Sequence, residues 1–280
     1  MQKKEIGQLL SLKKRLSDFK LLALDMDGTS LDSSGKLPIE LINFVNRENF
    51  GDLIIVFATG RMPLAVYNSL ERLNISKVVI SHNGAVISNL ENGKCYYENH
   101  VPSEIVQFSI ELHKRFQVPL HLNLTNEVIT DKITSMSKEY AKHLGINIKK
   151  GELSTIEETV ISLLFLSEKS ELDNILRQIM DKFKNFSYVL IPDKSFWLLQ
   201  ILPENTSKGE GVTHFAKILN ILKEDIISFG DSYNDIEMLL NSGIGIAMGN
   251  SCEELKEIAD YITLSNDENG VLKALQNLLL

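Results

Sequence analysis

Two carboxylates, Asp25 and Asp27, follow the apolar residues Leu21, Leu22, Ala23 and Leu24, and Gly28 and Thr29 come next. An apolar run this short, without polar alternation, reads as a strand buried on both faces. Acids at positions i and i+2 leave the end of such a strand on the same side. There they repel each other and lose hydration unless a cation or a proton lies between them. A D-G turn closing a hairpin is the structural alternative, but no alternating strand follows Thr29. A calcium loop fails on position, because Thr29 and Ser30 stand where that loop needs an acid or Asn and then Gly.

Two more apolar runs hand over to polar clusters. Residues 53–57 lead into Ala58, Thr59, Gly60 and Arg61, and residues 226–229 into Gly230, Asp231, Ser232, Tyr233, Asn234 and Asp235. In an open parallel sheet the carboxyl ends of strands share one edge, where ligands bind. Four carboxylates gathered there (Asp25, Asp27, Asp231 and Asp235) would cost about 4 kcal/mol for each like pair at ~4 Å and an effective dielectric near 20. A hard divalent cation relieves this, and all-oxygen ligands suit Mg²⁺. No His or Cys cluster offers a zinc site. Lys208, beside Gly209 at an expected helix start, supplies a second positive charge; Thr59 offers a hydroxyl and Gly60 a backbone amide. Phosphate is the anion such a site suits. One carboxylate can attack phosphorus to form an aspartyl phosphate, while the second moves a proton to the leaving oxygen and later takes one from water. The chain has no P-loop and no GxSxG elbow, which weighs against nucleotide-driven transfer and a serine hydrolase.

The elements that must position these groups are readable in outline. Pro38 suits a helix start with Ile39, Ile42 and Val45 on one face, and Gly51 a stop. Pro63 opens a second helix, and a third strand at 78–80 ends at Ser81, His82, Asn83 and Gly84. Alternating strands and helices predict a parallel sheet with right-handed crossovers. The texture then changes. Residues 86–88 and 95–97 read as a hairpin around Asn92-Gly93. Helices follow with Phe108 and Leu112, then with Met136 and Tyr140. Between them Val118, Leu120, Leu122 and Leu124 alternate, predicting a strand whose wet face carries His121 and Asn123, with Glu127 nearby. A strand at 160–166, a helix at 172–183 and a second hairpin at 188–201 complete an expected α+β unit in which Trp197 packs. From Ser207 the first texture returns. Glycines 243 and 245 lie within a strand at the wrong spacing for a dinucleotide loop and read as close backbone packing. The expected fold class is α/β: residues 1–84 and 204–280 form a Rossmann-like parallel sheet core flanked by helices, and residues 85–203 an inserted α+β cap domain.

The chain of 280 residues is 44% hydrophobic and 24% charged, ordinary for a globular protein. A net charge of -8 argues against nucleic acid as a main partner. Cys95 and Cys252 are far apart and in no metal-binding pattern, which fits a reducing compartment, so a cytoplasmic protein is expected. No run is long enough for a membrane span and no signal peptide is expected. Ile6, Leu9, Leu10, Leu12 and Leu16 suggest a short amphipathic helix within residues 1–20 that packs on the body.

Together, DMDGT at Asp25, TGR at Thr59, Lys208 and GDSYND at Gly230 resemble the four motifs of the haloacid dehalogenase superfamily of phosphatases. SHNGA at Ser81, SKGEGV at Ser207 and SNDENGV at Ser265 resemble its Cof-like branch, which carries a large α/β cap between the second and third motifs. The match covers residues 21–84 and 203–272. The resemblance implies a nucleophile and metal ligand at Asp25, and an acid/base at Asp27 with its backbone carbonyl on Mg²⁺. It implies phosphoryl contacts from Thr59 and Lys208, a metal ligand at Asp231, and support for that shell from Asn234 and Asp235. Arg61, Asn83, His121, Asn123 and Glu127 are candidate substrate residues; Asn83 with His82 is also a candidate hinge. Ser30 stands where the family usually has Leu, and Ser232-Tyr233 where it has Gly-Glu. The expected function is Mg²⁺-dependent hydrolysis of a small phosphorylated metabolite such as a sugar phosphate. A phosphotransferase or mutase on the same site is one rival, and a non-enzymatic phosphoacceptor module another.

Overall fold

The computed structural model describes residues 15–193 and 195–279. Most of the expected N-terminal helix, residues 1–14, lies outside them; Leu16–Asp18 form a single 3-10 turn. The chain opens with β1 (Leu21–Asp25), α1 (Ile39–Arg47), β2 (Ile54–Ala58), α2 (Pro63–Leu70), β3 (Val78–Ser81), β4 (Val86–Asn89) and β5 (Cys95–Glu98). It continues through α3 (Ser103–Phe116), β6 (Leu120–Asn123), β7 (Val128–Thr130), α4 (Ser135–Leu144), β8 (Ile148–Lys150), β9 (Ser162–Ser167), α5 (Lys169–Lys182), β10 (Ser187–Asp193) and β11 (Phe196–Leu202). It closes with α6 (Lys208–Ile218), β12 (Ile226–Gly230), α7 (Ile236–Leu240), β13 (Ile244–Ala247), α8 (Glu253–Ile258), β14 (Tyr261–Ile262) and α9 (Gly270–Leu279).

These elements form two units, one of residues 1–60, 67–96 and 207–280, the other of residues 61–66 and 97–206. The first is built on an eight-stranded sheet in the order β14-β13-β12-β1-β2-β3-β4-β5. The strands from β14 to β3 run parallel, and β4 turns back antiparallel along β3. Chain order runs outward from β1 in one direction through β2 and β3, and from β12 in the other through β13 and β14. The pair β1/β12 is therefore the switch point, where the crossover helices diverge and leave a crevice at the carboxyl edge. β1 is wholly buried, as its unbroken apolar run requires. Gly243 and Gly245 sit against the backbone of Glu224 and the side chain of Leu239, too close for a Cβ, in keeping with close backbone packing.

The hairpin of β4 and β5 corrects the expected boundary at residue 85. It extends the first sheet instead of opening the second unit, because Val86–Asn89 pairs with Ser81–Val78, a partner that local alternation does not reveal.

The second unit has a six-stranded sheet in the order β10-β11-β9-β6-β7-β8. α3 and α5 bury one face through Ile105, Leu112, Ile175 and Ile179 against Leu120, Leu122, Leu163 and Phe165, with Trp197 packed alongside. The opposite face of β6 was expected to be wet and is not. Ser137 of α4 shares a hydrogen bond of 2.9 Å with His121 Nε2, and Asn123 Nδ2 donates to Ser162 Oγ at 3.0 Å. Leu164, Leu166 and Phe196 on the same face pack against Met136 and Tyr140 of α4. His121 is 0% and Asn123 3% exposed. Polar residues alternate here because they pair with buried hydroxyls, not because water reaches them.

Burial pushes the His121 imidazole down to about 4. The folded protein then refuses a proton that the unfolded chain accepts near 6.5, so the contribution is whole above pH 6.5 and erodes as pH falls from there towards 4. Between pH 6.5 and 5, wild type should lose about 2 kcal/mol more stability than His121→Gln, which keeps a nitrogen for Ser137 and cannot titrate. Chemical denaturation at both pH values checks this, and equal losses would contradict it.

Candidate active site

Strand register brings the site together. Asp25 lies opposite Ala58 of β2, so Thr59 and Gly60 follow beside it. Leu24 lies opposite Phe229 of β12, so Gly230 and Asp231 emerge on its other side. Lys208 is the first residue of α6, whose N-cap Ser207 accepts the Glu210 N–H at 3.1 Å. Two of the sequence motifs meet behind it. A Cβ on Gly84, at φ +101°, would stand 2.1 Å from the Ser207 carbonyl oxygen, and one on Gly211 would stand 2.9 Å from the Gly84 Cα. The SHNGA turn and the start of α6 are thus two halves of one backbone-on-backbone contact, and that contact seats Lys208.

Lys208 Nζ donates to Asp25 Oδ1 at 2.5 Å and to Asp235 Oδ1 at 2.7 Å, all three side chains being almost fully buried. Asp235 Oδ2 accepts the backbone N–H groups of Asp231 and Ser232, each at 3.0 Å. Thr29 Oγ1 donates to Asp231 Oδ1 at 3.0 Å. Carboxylate oxygens of Asp25, Asp231 and Asp235 lie within 4.8 Å of one another. Asp27 stands outside this trio, half-buried on the turn after β1.

One ammonium faces three carboxylates, and the imbalance shows in their proton affinities. Burial, then Asp235, raises the Asp25 carboxyl well above its usual range, and Lys208 only partly offsets this. Burial and Asp235 also push Asp231 up to about 6. Burial alone would lower Lys208, but Asp235 and Asp25 outweigh it and hold the ammonium above its ordinary range. Excess negative charge, oxygen-only donors and carboxylates within one ion's reach fit a hard divalent cation such as Mg²⁺.

Thr59 is buried; its N–H donates to the Ile80 carbonyl, and its own carbonyl accepts the Asn83 N–H at 2.9 Å. Asn83, at φ +52°, accepts the Asn234 Nδ2 at 2.9 Å. Its amide nitrogen would stand 3.1 Å from a Cβ on Gly60, a tight contact. Asn83 therefore ties the Thr59-Gly60 loop to the loop of Asp231 and Asp235. Arg61 is buried and falls in the second unit. Among the other candidate substrate residues, His121 and Asn123 are buried inside that unit, which corrects their expected exposure, while Glu127 is half-exposed and paired with Lys149.

Both departures from the family pattern have local accounts. Ser30 Oγ donates to the Asp25 carbonyl at 2.7 Å, and Tyr233 is turned outward with its hydroxyl 3.3 Å from Glu254. Sequence reasoning gave no role to Thr29; a hydroxyl one residue beyond the turn glycine, beside an acid cluster, was the available signal.

A family model described as haloacid dehalogenase-like hydrolase matches residues 22–275. The Bacillus subtilis 5-amino-6-(5-phospho-D-ribitylamino)uracil phosphatase YcsE is 26% identical, covering 97% of this chain and all of its own. A haloacid dehalogenase-like hydrolase from Bacteroides thetaiotaomicron superposes with a TM-score of 0.83 at 26% identity, over 93% of this chain and 99% of that one. The subclass IIB sugar phosphatase BT4131 does so with a TM-score of 0.80 at 27% identity, over 92% and 98%.

The charge imbalance makes a stability prediction. Above its raised pKa, ionised Asp25 costs the metal-free fold energy in full, and the cost erodes as pH falls from that pKa towards the ordinary carboxylate range. At pH 7 Asp25→Asn should therefore raise the melting temperature of chelated protein by a few degrees, roughly 1 kcal/mol. Added Mg²⁺ should stabilise wild type more than the variant. A lower melting temperature for the variant would mean that the Lys208 pair dominates.

A family match over almost the whole chain, with solved relatives superposing over more than nine-tenths of it, places the chain in the haloacid dehalogenase-like hydrolase family, as a phosphatase of its Cof-like branch.

Proposed function

We propose that this phosphatase is Mg²⁺-dependent and works through an aspartyl phosphate on Asp25. Its substrates are small phosphorylated metabolites, sugar phosphates foremost. The observation that carries the reading is the trio of Asp25, Asp231 and Asp235 at the switch point of the sheet, with the buried Asp25 and Asp235 both bonded to one lysine. The names of YcsE and BT4131 describe phosphatases of a phosphorylated ribityl compound and of sugars, which supports the substrate class.

Asp25 and Asp231, with the Asp27 backbone carbonyl, would hold the cation, which when bound neutralises charge on the trio and on the phosphoryl oxygens. Asp25 attacks phosphorus while the ester P–O bond breaks and the leaving oxygen takes the Asp27 proton. Water then gives a proton to Asp27 and attacks phosphorus. The bond to Asp25 breaks, and inorganic phosphate leaves with the Asp25 carboxylate restored. Lys208, fixed against Asp25 Oδ1, orients the nucleophile and offers positive charge to the phosphoryl group, which Thr59 and Gly60 also cradle. Asp235 is occupied by Lys208 and two backbone amides, so its part is to hold the Asp231 loop. Asn234 acts beside it through Asn83.

The second unit is proposed as the specificity-bearing cap, with Arg61 and Glu127 as substrate contacts. Cys95 and Cys252 are thiols, and among the described residues no helix is long and apolar enough to cross a membrane. The free thiols support the cytoplasm as the compartment. A panel of phosphorylated metabolites, assayed for released phosphate with Mg²⁺ and after chelation, tests the reading. Full activity after exhaustive chelation would overturn the metal requirement.

The split of roles between the two acids is separately testable. Asp27→Asn leaves the nucleophile but removes the base for water. With p-nitrophenyl phosphate, whose leaving group needs little protonation, rapid mixing should show a burst of up to one equivalent and then a slow steady state. A linear trace with no trapped phosphoenzyme would assign Asp27 to the first step alone.

A further inference from the structure

The SNDENGV segment at Ser265 carries no group that the chemistry above uses, yet it reaches the turn that bears Asp27. That turn closes on itself: the N–H groups of Leu31 and Thr29 donate to the Met26 carbonyl at 2.8 and 3.3 Å. Its outward carbonyls are held from elsewhere. Asn250 Nδ2 donates to the Gly28 carbonyl at 2.8 Å, and Asn266 Nδ2 to the Leu31 carbonyl at 2.9 Å. The two asparagines are joined, since the Asn266 N–H donates to Asn250 Oδ1 at 3.0 Å. Next to them Asp267 accepts the Ser33 N–H at 2.8 Å and its hydroxyl at 2.6 Å.

We propose that Asn250 and Asn266 form a clamp that positions Asp27, a role that rests on reading Asp27 as the acid/base. The chemistry of the clamp needs an amide at Asn250, because that side chain must donate to one carbonyl and accept from one N–H in a fixed plane; a carboxylate cannot donate and a hydroxyl reaches less far. The turn needs the clamp because Gly28, at φ +79°, has no Cβ to pack and lies against the Asp231 carboxylate. Met26 and Leu31 pin the ends of the turn in the core, and the hydrogen bonds to the Gly28 and Leu31 carbonyls hold its outer edge and so set where Asp27 stands. Asp27 must lie within hydrogen-bond reach of the leaving oxygen and then of water, and an error near 1 Å costs on the order of 100-fold.

Asn250 is exposed, so Asn250→Ala removes the clamp with little insult to the fold. Two readouts separate the possibilities. Hydrogen exchange at the Thr29 and Leu31 amides should quicken in Asn250→Ala and Asn266→Ala. In the same variants kcat/KM for glycerol phosphate, a poor leaving group that needs the acid, should fall about tenfold or more, and that for p-nitrophenyl phosphate less than about threefold. Asn250→Asp, which keeps the acceptor and loses the donor, should behave like Asn250→Ala. Equal losses on both esters, unchanged exchange, or an Asn250→Asp variant that matches wild type would overturn the clamp. A wild-type protein that hydrolyses neither ester would overturn the acid/base reading, and the exchange rates would still judge whether the asparagines hold the turn.

Discussion

Lys208 carries one positive charge into a buried space that holds three carboxylates, and much of the first unit is arranged to keep it there. Such a cluster does not arise from folding energetics. Desolvating an ion pair consumes most of what the attraction returns, and an apolar core of the same volume would be at least as stable. A lysine with surplus acids around it leaves net negative charge in low dielectric, which is worse. The surrounding sheet supplies the stability: β1 and β12 are wholly buried, and so is most of β2. The cluster is the part of the molecule that stability alone would not select, which is why it identifies the site.

The positioning is done by backbone as much as by side chains. Strand register sets Asp25, Thr59 and Asp231 side by side. The approach of Gly84 to Ser207 sets the start of α6, and with it the lysine. Asn83 joins two of the loops and the Asn250–Asn266 pair holds the third. Each loop that leaves the carboxyl edge is thus fastened at a point outside the carboxylates themselves. Preorganisation of this kind lets charged groups stay close without collapsing into one another or drifting towards solvent.

How much of this was legible in the sequence follows from the range of each interaction. Buried strands ending in acids were readable, because an apolar run and the residue after it are local. Lys208 was readable as a cation at a helix start. The sheet that the hairpin of β4 and β5 joins is not local information, since only its pairing with β3 decides it. The burial of His121 and Asn123 is not readable, because polar alternation looks the same whether water or a buried serine partners the side chain. Asn250 gave no signal at all, as its partners are more than 200 residues away or on another loop. Asn266 stood in a recognised motif, but a motif names residues without saying which carbonyl they hold.

The account stands or falls on covalent chemistry at one carboxylate. Mixing the protein with a small phosphomonoester and Mg²⁺, quenching in acid within the first turnover and mapping the peptides by mass spectrometry locates the phosphoryl group. The account predicts an acyl phosphate on Asp25, labile to hydroxylamine, and none in Asp25→Asn. A phosphoryl group on another residue would contradict it, as would phosphate release in which the first turnover leaves the protein unmodified.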